Sequence, residues 1–394
     1  MKSLRVLSLS LVLACAASQA SILPNEAAAP LAGEAASLMA AGKYQEAYNK
    51  YQAAAKADPA ASIPLSGMAQ VLLLASAQAS GDDALKLRQQ AEAYVRQALK
   101  MEPNDPYALE VLRTLNDDKP PPRHQPTLEA WKTLQEGEQL FHVGKLDEAR
   151  AKYLEAARLD PQYSTAYVDA ADSYYMQKKW PESEALFRKA TEVEPLNGQA
   201  WRFLSDALAA QNKRAAAEEA LFNGIAAQPS QIPSWNKLAS LRAAAGYPLT
   251  SLNLKRKSSV TLGADGKYTI NLDSAFAGEA GKSADGAAWL MLAAAEANAR
   301  ARNISEHLPD QPFAIELDAW RGVMKALDEL KANSGAAPVD PALKTMQMLA
   351  KADQLEAALL LLQYKESWRP EFEAWKKEHP NGIRKFIDTY GLRP

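Results

Sequence analysis

Residues 130–161 read AWKTLQEGEQLFHVGKLDEARAKYLEAARLDP, and the pattern of this stretch returns further along the chain. The dipeptides Asp160-Pro161, Glu194-Pro195 and Gln228-Pro229 follow one another at intervals of 34 residues. Two further sets of positions keep this interval: small residues at Gly137, Ala171, Ser205 and Ala239, and larger ones at Thr133, Tyr167, Trp201 and Trp235. A constant period of this length indicates one supersecondary unit repeated in tandem.

Each copy of the pattern predicts two antiparallel helices. Small residues at Gly137 and Ala149 allow the two helix backbones to approach closely, and large residues such as Tyr153 fill the space beside them. Pro161 ends the second helix, because proline cannot continue the hydrogen-bond ladder. The unit is therefore a helical hairpin that stacks on the next hairpin.

This arrangement resembles the tetratricopeptide repeat family, which implies an all-α solenoid of antiparallel helix pairs. The clearest copies span Ala130–Pro161, Ser164–Pro195 and Gly198–Pro229, and the first helix of another copy begins near Ile232. An upstream copy ends at Pro59, and its successor ends at Pro103, 44 residues later. We expect the ten extra residues around positions 75–84, with a lengthened turn at residues 80–83. The resemblance covers about residues 31–250.

The repeats divide the chain into predicted segments. An N-terminal repeat block covers residues 31–116, a proline-rich linker covers 117–126, and a second repeat block covers 127–250. The linker either acts as a hinge between the blocks or packs as a fixed loop, and its length does not distinguish these alternatives.

Beyond the repeats the sequence predicts a β-hairpin with a flexible connector at residues 251–286, then a helical region at 287–394. Val260 and Leu262 alternate with polar residues, and so do Tyr268, Ile270 and Leu272. The predicted helices are Ala287–Ala301, Ala314–Ala332, Pro341–Tyr364, Pro370–Glu378 and Gly382–Tyr390. No family is recognised in residues 253–394, which either extend the solenoid or fold back as a cap.

The first twenty residues have the layout of a secretory signal peptide. Lys2 and Arg5 precede a short apolar run, and small residues lead to Ala20. We expect export to the periplasm; the alternative is an outer-membrane lipoprotein anchored through Cys15. Cys15 is the only cysteine, so no disulfide forms within the chain.

Composition argues against several classes of function. The formal net charge of −2, from 45 basic and 47 acidic residues, does not favour binding to nucleic acid. The four histidines have no ligand spacing, so we expect no metal and no cofactor. Gly281-Lys282-Ser283 lacks the upstream glycine of a phosphate-binding loop, since that position is Phe276. No catalytic motif is recognised, and the chain is predicted not to be an enzyme.

The resemblance to tetratricopeptide repeats implies a groove lined by the first helix of each unit. Leu134 and Val168 occupy groove positions but have packing between units as an alternative role. The family's carboxylate clamp is doubtful here, because Leu134 and Glu138 stand at its lysine and asparagine positions. Acidic residues outnumber basic ones, so a neutral or basic protein segment is the expected partner. The candidate groove residues are Trp131, Gln135, Glu138, Phe141, His142, Thr165, Asp169, Asp172, Tyr175, Met176, Gln199, Arg202, Phe203, Asp206, Asn236, Lys237 and Ser240.

Together these features favour an exported scaffold or adaptor in a bacterial cell-envelope assembly, such as a secretion, polymer-export or cell-wall complex. Two alternatives stay open from the sequence alone. The unassigned residues 253–394 could carry a small-ligand or enzymatic domain, and the aromatic residues of the groove could bind glycan or peptidoglycan.

Overall fold

The computed structural model describes residues 23–79, 81–117, 123–252, 254, 256–262, 267–277 and 283–394. The predicted signal peptide with Cys15, half of the proline-rich linker (residues 118–122) and Gly281-Lys282 lie outside the described residues. The chain forms two compact units. Unit 1 comprises Met1–Lys119 and Arg256–Asp340, and unit 2 comprises Pro120–Lys255 and Pro341–Pro394. The C-terminal helices are thus divided between two different blocks of repeats.

The N-terminal repeats of unit 1 contain five helices: α1 Ala29–Ala40, α2 Tyr44–Ala57, α3 Ile63–Ser76, α4 Gly81–Met101 and α5 Pro106–Asp117. Their core holds many alanines, and Tyr51 packs where a side chain on Gly67 would clash with its ring. The ten extra residues lie mainly in α4, which has 21 residues against 14 in α2. The predicted turn through Gly81–Asp83 is therefore wrong, because α4 already begins at Gly81.

The repeats of unit 2 contain seven helices: α6 Leu128–His142, α7 Leu146–Leu159, α8 Ser164–Met176, α9 Trp180–Val193, α10 Gly198–Ala210, α11 Arg214–Ala227 and α12 Ile232–Ala243. They pair as predicted, α6 with α7, α8 with α9 and α10 with α11. A Cβ on Gly137 would lie 2.6 Å from the Tyr153 ring and 3.3 Å from the carbonyl oxygen of Ala149. This confirms that a small residue is needed where the two helices cross.

The recurring tryptophans have a hydrogen-bonding role at the joint between repeats. The indole nitrogen of Trp201 donates to the carbonyl oxygen of Pro195 at 2.9 Å, and that of Trp235 donates to Pro229 at 2.8 Å. Each bond satisfies a carbonyl that follows the end of the preceding helix. The period of 34 residues is thus reproduced in the contacts as well as in the sequence.

The described part of the linker is a packed loop on the repeats of unit 2. The Nε2 atom of His124 lies 2.9 Å from both carboxylate oxygens of Asp160, and the Thr127 amide donates to the same carboxylate at 2.9 Å. Arg123 donates to the Asn197 side chain at 3.2 Å. Residues 123–127 are therefore fixed to the turns between repeats.

The described residues after the repeats include four short strands: β1 Thr250–Ser251, β2 Ser258–Leu262, β3 Tyr268–Leu272 and β4 Leu392–Arg393. The antiparallel pairing of β2 with β3 places Val260 opposite Ile270 and confirms the predicted hairpin in unit 1. The parallel pairing of β1 with β4 in unit 2 was not predicted. Neither of its strands is long enough to show an alternating pattern.

The C-terminal helices belong to both units. Unit 1 receives α13 Ser274–Ala277, α14 Ala284–Ser305 and α15 Pro312–Ser334, and unit 2 receives α16 Pro341–Lys351, α17 Leu355–Leu362, α18 Arg369–Glu378 and α19 Gly382–Tyr390. The prediction of one helix over Pro341–Tyr364 is wrong. The chain adopts a left-handed conformation at Asp353, with φ of 55°, and this turn separates α16 from α17. Leucines on both sides of the turn are buried nonetheless.

Ion pairs between largely buried arginines and partly buried carboxylates connect residues 256–340 to the N-terminal repeats of unit 1. The Arg113 guanidinium on α5 lies 2.8 Å from Glu110 and 2.7 Å from Asp310. Glu110 also accepts from Arg300 on α14 at 2.7 Å. Paired charges of this kind select one docking geometry, because an unpaired buried charge is costly. No helix in the described part of the chain is both long and apolar enough to cross a membrane.

Candidate partner-binding groove

The first helices of the repeats in unit 2 form a common face, which we call the groove. Helix α8 contacts α10, and α10 contacts α12. Side chains that recur at equivalent positions of these helices therefore lie beside one another rather than along one helix. The predicted groove residues come from four different helices, and the repeat stacking is what brings them together.

Four carboxylates on three successive first helices make up what we call the acidic cluster: Glu138, Asp169, Asp172 and Asp206. Burial raises the pKa of Asp169 to about 8, and the negative charges of Glu138 and Asp172 contribute to this rise. Burial also raises the pKa of Asp172, and the negative charges of Glu138 and Asp206 raise it further. These carboxylates thus lie close enough to repel one another, and the cluster holds excess negative potential.

A few neighbouring groups partly balance the acidic cluster. Lys237 on α12 forms an ion pair with Asp206. The hydroxyl of Tyr153 donates to Glu138 Oε1 at 2.6 Å. These two contacts are made by Asp206 on α10 and Glu138 on α6, on either side of the two aspartates of α8.

Tyr153 and Tyr163 belong to the groove's surroundings although the sequence did not assign them to it. Burial raises the pKa of both phenols, and the acidic cluster raises it further. Tyr153 lies on the second helix α7, and transfer of groove positions from first helices alone misses it. The sequence feature that points to Tyr153 is its position as the large residue packed on Gly137. This packing directs the Tyr153 hydroxyl toward Glu138.

The apolar candidates differ in exposure. Trp131 is 46% exposed and Met176 is 60% exposed, so both offer apolar area to a partner. Leu134 and Val168 are each 4% exposed and serve the packing between helices, the alternative role given for them above. Tyr175 packs edge-on against Trp180 at a ring distance of 4.7 Å, and Phe203 packs against Phe187 at 5.8 Å.

The remaining candidates lie around this centre. Gln135 and His142 are exposed on α6, and Phe141 is half-buried against the core of the first repeat. Thr165 and Gln199 are half-buried near the starts of α8 and α10. The guanidinium of Arg202 lies over the Phe203 ring at 4.8 Å. On α12 the Ser240 hydroxyl donates to the carbonyl oxygen of Asn236 at 3.0 Å, and the Asn236 side chain accepts from Arg393 at 2.6 Å.

No group of three histidine, aspartate or glutamate side chains in the described ranges is arranged to hold a metal ion. An open cleft of about 500 Å³ between α14 and α15 is lined largely by small apolar residues, with Arg302 and Asp318 as its charged members. A convergent acid and base, which hydrolytic chemistry would need, are not among its lining residues.

Comparison with known proteins identifies the middle of the chain. Residues 134–192 and 168–232 match the tetratricopeptide repeat family model. This stretch is a tetratricopeptide repeat array. No curated protein matches the chain.

Several solved tetratricopeptide structures are similar to parts of the chain. The first such domain of Spaghetti (RPAP3), bound to the HSP90 peptide SRMEEVD, is 22% identical, with a TM-score of 0.29, and covers 31% of this chain and 98% of its own. The Sgt2 domain from Aspergillus fumigatus is 23% identical, with a TM-score of 0.30, and covers 32% and 85% respectively. The TPR2AB domain of yeast Sti1, in its HSP90 complex, is 17% identical, with a TM-score of 0.29, and covers 56% and 98%.

Proposed function

We propose that this chain is a non-catalytic scaffold that binds an extended, neutral or basic segment of a partner protein in the groove of unit 2. A tetratricopeptide array is an interaction module, which supports the scaffold assignment. The observation that carries the choice of partner is the acidic cluster itself, in which three successive first helices bring four carboxylates within electrostatic reach of one another. Lys237, the ion-pair partner of Asp206, is a single cation beside these four groups.

A lysine or arginine side chain from a partner would lower the energy of the acidic cluster. Two unit charges 4 Å apart attract by about 4 kcal/mol at an effective dielectric constant near 20, and desolvation offsets part of this gain. Near neutral pH Asp169 keeps its proton for much of the time, and an incoming cation favours its release. Binding of a basic segment is therefore coupled to proton loss and strengthens as pH rises from 6 to 9.

The dimensions of the array set the length of the segment. Packed helices lie about 9–10 Å apart, so four first helices span roughly 30 Å. An extended chain advances about 3.3 Å per residue, which gives a segment of about nine residues. Trp131 and Met176 supply exposed apolar area beside the cluster for the partner's uncharged side chains.

The test uses nine-residue fluorescent peptides of the same length with lysine, glutamine or glutamate at alternate positions. We expect the lysine peptide to bind the full chain best and the glutamate peptide to bind worst, as measured by fluorescence anisotropy. Asp169→Asn combined with Asp172→Asn should weaken the lysine peptide at least tenfold, about 1.4 kcal/mol. Higher salt should reduce the difference in affinity between the lysine and glutamate peptides, because it screens the charges.

The matched control removes two charges from the exposed outer helix of the same repeat, as Glu182→Gln with Glu192→Gln. This variant should bind the lysine peptide like the original chain. Equal binding of all three peptides, or an unchanged affinity in the groove variant, would contradict the proposed function.

We further propose that the scaffold is exported and acts in a bacterial cell-envelope assembly, such as a secretion, polymer-export or cell-wall complex. The support is the basic, apolar and small-residue order of residues 2–20. Soluble periplasmic export is the main proposal, and lipidation at Cys15 is the alternative. Fractionation followed by mass measurement of the mature N-terminus distinguishes cleavage after Ala20 from lipidated Cys15, and an uncleaved cytoplasmic chain would refute both.

A further inference from the structure

The last four residues of the chain, 391–394, form a short segment that we call the strap. Gly391 adopts φ of 60° after α19, a left-handed conformation that turns the chain into β4. The amide of Thr250 donates to the carbonyl oxygen of Gly391 at 2.7 Å, and that of Leu252 donates to Arg393 at 2.8 Å. The strap is thus an extended peptide paired in parallel with β1.

The side chain of Arg393 reaches the groove. Its Nη1 atom donates to Asn236 Oδ1 at 2.6 Å. Asn236 is a groove position on α12, and the next residue, Lys237, forms the ion pair with Asp206 of the acidic cluster. The strap therefore places a guanidinium at the α12 end of the groove.

The strap has the same chemistry as the proposed partner, namely an extended backbone that carries a basic side chain. We propose that it is an internal competitor, which occupies the α12 end and leaves when a basic segment spans all four first helices. This inference rests on the proposed function. It adds that the unbound groove is partly closed by the chain itself.

The contacts of the strap suit a part that detaches. Its polar contacts with the rest of unit 2 are the short parallel pairing along residues 250–252 and the bond from Arg393 to Asn236. Each hydrogen bond contributes little net stability, because the same groups bond to water when the strap is released. Leu392, 7% exposed, is its apolar anchor.

Helix α19 is attached independently of the strap. Asp388 pairs with Arg242, and Arg384 pairs with Glu219 on α11. The side chains of Phe386 and Ile387 are buried. Release of residues 391–394 therefore leaves α19 in place, and no wider unfolding is required.

The experiment measures the affinity of the nine-residue lysine peptide for Arg393→Gln and for Leu392→Ala. Both variants weaken the docked strap, so both should bind the peptide about three- to tenfold more tightly, because a larger fraction of molecules is open. Leu392→Ala keeps every charge, which separates strap release from a simple change in potential. The control Lys385→Gln removes one positive charge from an exposed position of α19 and should bind like the original chain.

Hydrogen exchange gives a direct readout in the unmutated chain. Saturating lysine peptide should accelerate exchange at the amides of Thr250 and Leu252, whose acceptors are in the strap. If the peptide binds but these amides stay protected and Leu392→Ala binds no more tightly, the strap inference is overturned while the proposed function stands. If the lysine peptide does not bind better than the glutamate peptide, the proposed function itself fails.

Discussion

Replacement of Asp169 by asparagine should stabilise the protein, and by more at high pH than at low pH. Asp169 lies at the centre of the acidic cluster, where burial and two neighbouring carboxylates raise its pKa to about 8. Asparagine has nearly the shape of the protonated acid and cannot ionise. The variant therefore keeps the packing and removes the cost of a charge in this position.

The sign follows from proton binding in the two states. Between about pH 4 and pH 8 the folded chain keeps the Asp169 proton and the unfolded chain has lost it, so the unfolding free energy falls as pH rises. Each pH unit in this range lowers the unfolding free energy by at most about 1.4 kcal/mol. At pH 7 the raised pKa of Asp169 therefore costs the folded chain at most about 4 kcal/mol. Asp169 retains some contact with solvent, so we expect about 1–2 kcal/mol.

The assay is urea unfolding followed by tryptophan fluorescence at pH 5, 6, 7 and 8, for the original chain and for Asp169→Asn. The difference in unfolding free energy should be smallest at pH 5 and largest at pH 8, in favour of the variant. The control Glu192→Gln changes an exposed carboxylate on α9 and should show no such trend. A difference that does not vary with pH, or a variant that is less stable at pH 8, would refute the reasoning.

Two further predictions concern the backbone of the repeats. Lys178 has φ of 60° in the turn where Gly144 stands one repeat earlier, and glycine adopts this left-handed conformation without strain. Lys178→Gly should therefore stabilise unit 2 by about 0.5–1 kcal/mol and raise the midpoint of urea unfolding. A loss of stability would contradict this prediction. Gly137→Ala would press a methyl group onto the Tyr153 ring, which is 1% exposed and cannot move aside. The variant should be less stable by about 1–3 kcal/mol, as measured by thermal unfolding. An unchanged unfolding midpoint would count against the close crossing of the two helices.

The candidate site was only partly accessible from the sequence. The positions of Asp169, Asp172 and Asp206 on first helices follow from the repeat period, and the structure places them in one cluster with Glu138. The sequence could not show how much potential they share, because burial and mutual distance decide a pKa. It also missed Tyr153, whose hydroxyl crosses from the second helix to Glu138.

The contact of Arg393 with Asn236 could not be predicted from any pattern. The two residues are far apart in the chain, and a two-residue strand carries no alternation of polar and apolar positions. Likewise the sequence left open whether residues 253–394 extend the solenoid or cap it. In the structure Arg256–Asp340 joins the N-terminal repeats and Pro341–Pro394 joins the middle repeats.

The sequence by itself determined the repeated helical hairpins, since their packing depends on neighbours one turn or one repeat away and is written in the spacing of Gly137, Pro161 and their equivalents. Only the tertiary structure decided the ion pairs of Arg113, the break at Asp353 and the pairing of β1 with β4. These features depend on contacts between residues distant in the chain. Tertiary geometry and charge determine such contacts, and they leave no repeating pattern in the sequence.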